Sequence, residues 1–153
     1  MFEVQVQGLK EASDALKQLP AKIQQNVLRS AVYAGAAVIR NEAKQQASAV
    51  TTTRTGTLKR AIAIIRNKKR STGPMQAVKV IVRRGKKLRK VGKTGKNLSA
   101  DAWYAHFIEF GTKKMRARPF MRPAFEAKKE ESVAAIRDGL KKGIEKANQR
   151  SGK

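Results

Sequence analysis

Few residues in this chain have the means to move a proton. Its only histidine, His106, stands three positions before Glu109, and such a pair can serve acid–base catalysis when the two side chains meet. Tyr104, His106, Ile108 and Phe110 alternate with Ala105, Phe107 and Glu109, so the stretch reads as a strand, on which odd and even positions face opposite sides. His106 and Glu109 then point apart, and His106 reads as a packed or hydrogen-bonded residue. Glu130 and Glu131 fall in a helical stretch and read as a solvated face. The sequence has no phosphate-cradling glycine loop, no Gly-x-Ser-x-Gly and no metal-spaced His or Cys cluster. Cysteine is absent, which excludes disulfides and thiolate ligands and suits synthesis in a reducing cytoplasm. Catalysis is therefore not expected, nor is a cofactor or a metal.

The other available chemistry is the binding of anions. Lys and Arg number 35 against 11 Asp and Glu, a formal charge of +24. No acidic residue occurs between Glu42 and Asp101, and 17 Lys and Arg fall in that interval. The density peaks at Arg83, Arg84, Lys86, Lys87, Arg89 and Lys90 and continues to Lys93 and Lys96. Such a segment has salt-dependent, sequence-independent affinity for phosphates or for an acidic protein. Its self-repulsion disfavours a compact state, so it reads either as a solvated arm or as a contact with DNA or an acidic partner.

The elements that must carry these residues follow from periodicity. Phe2, Val4 and Val6 alternate with Glu3, Gln5 and Gln7, a half-buried strand closed by Gly8. Leu9, Ala12, Leu16 and Leu19 are spaced for a short amphipathic helix. Pro20 opens a longer one to about Ala47, with Ile23, Val27, Ala31, Ala34 and Val38 on one stripe and Leu28, Val32 and Ile39 widening it. The small residues Ala34 to Ala37 let another backbone approach. Thr51 to Gly56 reads as loop. Ile62 and Ile64, then Val78, Val80 and Val82, form alternating runs around a Ser-Thr-Gly-Pro turn, an antiparallel hairpin. A basic connection at about 83–102 leads to a third β segment at 103–110. From Pro123 a helix runs to about Ala147 with Val133, Ile136, Leu140, Ile144 and Ala147 on one face. Gly139 and Gly143 weaken it in isolation but suit close packing on a neighbour. Residues 1–147 thus read as one α+β domain, a small antiparallel sheet packed against a long helix with a C-terminal helix and a long basic loop. Residues 148–153 read as a flexible tail. No apolar run is long enough to span a membrane, and the start lacks the pattern of a secretory signal.

The densest information lies in residues 103–126, Trp-Tyr-Ala-His-Phe-Ile-Glu-Phe-Gly-Thr-Lys-Lys-Met-Arg-Ala-Arg-Pro-Phe-Met-Arg-Pro-Ala-Phe-Glu. The order resembles the "YAHFVEFGT…PFMRPA" signature of a family of bacteriophage neck and tail-completion proteins of long-tailed phages. Phe-Glu-Val-Gln-Val-Gln-Gly-Leu-Lys at the start, and Arg54-Thr55-Gly56-Thr57-Leu58-Lys59-Arg60-Ala61-Ile62 before the hairpin, are similar to that family's other motifs. One departure is the missing proline before the Thr-Gly pair, where Ser48-Ala49-Val50 stands.

The resemblance implies a structural virion protein of the neck or tail, assembled in the host cytoplasm. It would form a ring of six between a head connector or portal-side adaptor and a tail terminator or tail tube, with genome DNA passing through. Heterologous ring contacts would then fall on Tyr104, Phe107, Glu109, Phe110, Gly111, Arg118, Pro119, Phe120, Met121 and Pro123, and on the edges of the short sheet. The basic segment lies where such families vary, so its role rests on its charge and not on the resemblance: Arg83, Arg84, Lys86, Lys87, Arg89, Lys90, Lys93 and Lys96 would meet DNA in the lumen or an acidic neighbour on an outer or axial face. The rival reading is a nucleic-acid-binding protein that uses the basic arm. Against it, no aromatic residue lies between Tyr33 and Trp103 to stack on bases.

Overall fold

The computed structural model describes residues 9–50, 56–72, 75–85 and 102–151. The expected N-terminal strand at 2–7 and most of the basic loop lie outside the described residues.

Two long helices form the frame. The first, α2 (Ala21–Val50), follows the short α1 (Leu9–Lys17), and α5 (Met121–Ser151) closes the chain. Each long helix spans about 45 Å at 1.5 Å per residue. They run antiparallel: Gly35 lies against Ser132 and Ile136, Ala31 against Gly139, and Val27 against Gly143. The small residues on both sides explain the closeness, because a Cβ on Gly139 would lie 3.0 Å from the Ala31 Cα. The glycines that cost α5 helical propensity are therefore what let it seat on α2. The helix passes its expected end at Ala147 and continues to Ser151.

Two apolar clusters line the frame. At the end where the chain begins, Leu16, Leu19, Val27, Ala31, Leu140 and Ala147 are buried together. At the other end, Ala43 and Ala47 of α2 meet Leu58, Ile62, Phe120 and Ala124. The second cluster carries the hairpin. A one-turn helix, α3 (Thr57–Ala61), buries Leu58 and Ala61 and feeds β1 (Ile62–Arg66), which pairs antiparallel with β2 (Val78–Val82). Ile62 faces Val82 and Arg66 faces Val78. The hairpin connection includes a 3-10 turn at Lys68–Arg70 and is tied by Ser71, whose hydroxyl bonds both the N–H and the carbonyl of Ala77. The architecture is α+β, a two-stranded antiparallel sheet on a long helix with a C-terminal helix.

The third β segment is a correction. Residues 105–110 form a helix, α4 (Ala105–Phe110). Eight residues with apolar side chains at both odd and even positions satisfy period 2 and period 3.6 alike. The helix wins because it pairs its own backbone, with the N–H of Ile108 reaching the Tyr104 carbonyl and that of Gly111 the Phe107 carbonyl. It also buries Ala105 while Tyr104 and Ile108 pack on the second cluster.

Candidate functional site

Helical geometry puts the rings of α4 on its outer side. Trp103, Phe107 and Phe110 recur at intervals of four and three, which is one face. Trp103 is 60% exposed and Phe110 73%. The Trp103 ring meets Phe107 edge to face with centroids 6.0 Å apart, and Tyr104 in the same manner. Exposed aromatic side chains grouped on a fixed element mark contact surfaces, where Trp, Tyr and Phe are enriched.

Glu109 fixes the element. Its carboxylate accepts hydrogen bonds from the backbone N–H groups of Phe120 (2.8 Å), Met121 (3.0 Å) and Arg122 (3.1 Å). These are the unpartnered donors of the first turn of α5, and a negative charge suits that end of the helix dipole. Between the two helices the chain doubles back. Gly111 takes φ of +76°, and a Cβ there would lie 2.8 Å from the Ala117 nitrogen. The Thr112 hydroxyl accepts from the N–H groups of Lys114 and Met115, and the Arg118 N–H donates to the Ile108 carbonyl at 2.8 Å. The Glu109 carboxylate is thus committed to the backbone of α5, and His106 lies on a helix with it, not on the opposite side of a strand.

Cations follow the helix in the chain. Lys113, Lys114, Arg116 and Arg118 are exposed on the loop after α4. The Arg84 guanidinium lies 3.1 Å from His106 Nδ1, which is also 2.8 Å from the Trp103 carbonyl. With Nδ1 protonated the ring donates to that carbonyl; with Nδ1 bare it accepts from Arg84, and in that tautomer His106 joins the base of the basic loop to the aromatic helix. Arg83 donates its N–H to the Ala61 carbonyl and accepts at its own carbonyl from Ala102. Both ends of the basic segment are therefore held at one point beside α4.

The sequence-predicted contact residues divide accordingly. Phe107 and Phe110 are exposed together; Arg118 and Pro119 are exposed on the loop; Tyr104, Met121 and Pro123 are half-buried. Gly111 and Glu109 shape the unit from within. Phe120 is 1% exposed and fills the second core cluster, so it is a core residue of the subunit and not a surface residue. Lys86, Lys87, Arg89, Lys90, Lys93 and Lys96 lie outside the described residues. Trp103 escaped the sequence reading as a contact residue, although its spacing of four from Phe107 is visible once the stretch is read at helical period. Phe125, 55% exposed on α5, also escaped it.

The fold and this surface define a small α+β protein with an exposed aromatic face. Over residues 10–111, two-thirds of its length, the chain matches the family described as "Bacteriophage HK97-gp10, putative tail-component", and it belongs to that family. It is a phage tail component with a structural role in the virion. Comparison with curated proteins gives no match, and neither does comparison with solved structures. Among the described residues no helix is long and apolar enough to cross a membrane.

Proposed function

We propose that this chain is a neck or tail-completion subunit that closes into a ring of six between the head connector and the tail tube, with genome DNA passing through the lumen. The observation that carries the reading is the outward face of Trp103, Phe107 and Phe110 on a helix locked by Glu109. Copies of a chain with a charge of +24 repel one another, so ring contacts must be apolar and shape-complementary. The aromatic face supplies such a contact. The connector or portal-side adaptor on one side, and the tail terminator or tail tube on the other, would offer acidic surfaces to Arg83, Arg84 and the basic loop, or that loop would line the DNA path. No catalytic step is part of this role.

The test is the mass of the protein in solution across a salt series, with and without short duplex DNA. A ring of about six subunits that persists or grows as salt screens the repulsion supports the reading. A monomer that gains mass only with DNA, and loses it as salt rises, favours the second reading, a nucleic-acid-binding protein. That alternative draws on the Arg83–Ala102 contact, which roots the basic segment next to exposed rings.

A further inference from the structure

The tip of the hairpin carries Arg66, Lys68, Lys69 and Arg70 on a fixed turn, and we propose that this tip binds the phosphate backbone of duplex DNA independently of the basic loop. It would be a second place at which genome DNA meets the subunit, and it rests on the reading above that DNA passes there. All four side chains are exposed. No Asp or Glu lies between Glu42 and Asp101, and among the described residues the ion pairs are Lys17–Asp14 and Lys128–Glu131. No described carboxylate neutralises the tip, so its self-repulsion is relieved by salt or by an outside anion.

A held backbone sets the tip apart from a solvated run of charge. The Asn67 N–H donates to the Ala77 carbonyl at 2.9 Å, that of Arg70 to the Asn67 carbonyl at 3.2 Å, and that of Ser71 to the Lys68 carbonyl at 3.4 Å. The Ser71 hydroxyl accepts from the Ala77 N–H at 3.1 Å and donates to the Ala77 carbonyl at 3.2 Å. Lys68 to Arg70 form one 3-10 turn, on which successive side chains fan about 120° apart. Three cations thus leave one fixed turn in three directions, with little backbone freedom left to lose when they meet phosphates.

Composition selects the partner. From Arg66 to Thr72 the tip offers cations, one amide and two hydroxyls and no apolar side chain, the set that contacts a sugar–phosphate backbone. A docked protein would need an apolar centre, where Lys is depleted. A single strand would need rings to stack on, and no aromatic residue lies between Tyr33 and Trp103. The backbone of a duplex needs neither. Arg83 and Arg84, where the basic loop begins, stand past the other end of β2, a strand of 5 residues or about 17 Å. That exceeds the Debye length of about 8 Å at physiological salt, so the tip binds or fails on its own charges.

The test is the anisotropy of a short fluorescent duplex titrated with the full chain across a salt series. Each phosphate contact adds about 0.9 to the slope of log K against log salt, so the triple variant Lys68→Gln, Lys69→Gln, Arg70→Gln should lower the slope by about 2–3. Lys141, Lys142 and Lys146 are exposed on α5. Changing these three to Gln gives the same net charge, and the slope should stay within about 0.5 of the wild type. In the wild-type chain, duplex DNA should protect Lys68 and Lys69 from acetylation while Lys141 and Lys142 stay reactive, a result that needs no variant to fold. Equal slopes for the two triple variants would show that net charge alone is read, and would overturn the proposal. Lys68 and Lys69 that stay reactive with DNA present would overturn it too, as would a wild-type chain that leaves the duplex unbound. Binding of polyglutamate in place of DNA, lost in the tip variant, would assign the tip to an acidic protein and overturn it equally. Ring closure is read separately by mass, so a monomer whose slope falls sinks the ring and keeps the tip, and a ring whose slope is unchanged does the reverse.

Discussion

The Ser132 hydroxyl on α5 donates to the Gly35 carbonyl on α2 at 3.0 Å, a buried bond between residues 97 apart in sequence. It exists because Gly35 has no side chain. A Cβ there would come within 2.8 Å of the Ser132 carbonyl oxygen and meet Ile136 closer still. In an isolated helix Gly→Ala stabilises by about 1 kcal/mol; here overpacking reverses the sign. Gly35→Ala should destabilise by about 1–3 kcal/mol in urea unfolding. Ser132→Ala should cost about 1 kcal/mol, and the double variant should fall short of the sum because the two sites share one contact. A stabilised Gly35→Ala would mean that the helices are not this close.

Glu109→Ala removes the acceptor of three N–H groups at once. A loss of about 1–2 kcal/mol is expected, as for other helix N-terminal caps, with Glu109→Gln between it and the wild type. Amide exchange should accelerate at Phe120, Met121 and Arg122 in Glu109→Ala. If those amides are unaffected, Glu109 does not hold α5.

Gly111 carries both a positive φ and a tight contact with the Ala117 backbone. Gly111→Ala should therefore cost about 1–3 kcal/mol, more than Gly85→Ala, where φ is also positive but a Cβ would meet nothing within 4 Å. Equal losses at the two positions in thermal unfolding would assign the whole effect to backbone strain.

Phe110 is 73% exposed, so Phe110→Ser should leave stability within about 0.5 kcal/mol. If these rings make the proposed contact between subunits, the same change, or Trp103→Ser, should abolish self-association measured by sedimentation. Loss of stability without loss of assembly would show that these rings serve the subunit's own fold.

Lys44 offers a pH test. Burial, then the charges of Arg40 and Lys59, hold its pKa below the ordinary lysine value of 10.5. The folded pKa lies below the unfolded one, so the charged form is disfavoured by folding. That penalty is full below the folded pKa and fades as pH rises through it toward the unfolded value. Lys44→Gln should raise the melting temperature at pH 7 by a small amount, because the site is partly solvated. The gain should shrink as pH approaches 10.5 and as salt rises. A gain that is constant with pH would trace to packing.

Much of this protein is legible in its sequence because the signal is local. The stripe through Val27 and Ala31, the stripe through Leu140 and Ala147, and the alternation of Val78, Val80 and Val82 each report which face of one element is buried. The motifs around Gly56 and Gly111 point to the family, and the family match covers both. The stretch 103–110 was misread because its apolar residues fit two periods. Only the tertiary structure chose between them, through the burial of Ala105 and the outward turn of Trp103, Phe107 and Phe110. The same holds for Glu109, whose partners lie 11 to 13 residues on, and for Phe120, whose neighbours Leu58 and Ile62 come from another element. Periodicity records how a residue stands on its own helix or strand. It carries no record of which distant donor a carboxylate will meet, because that depends on how the elements are packed.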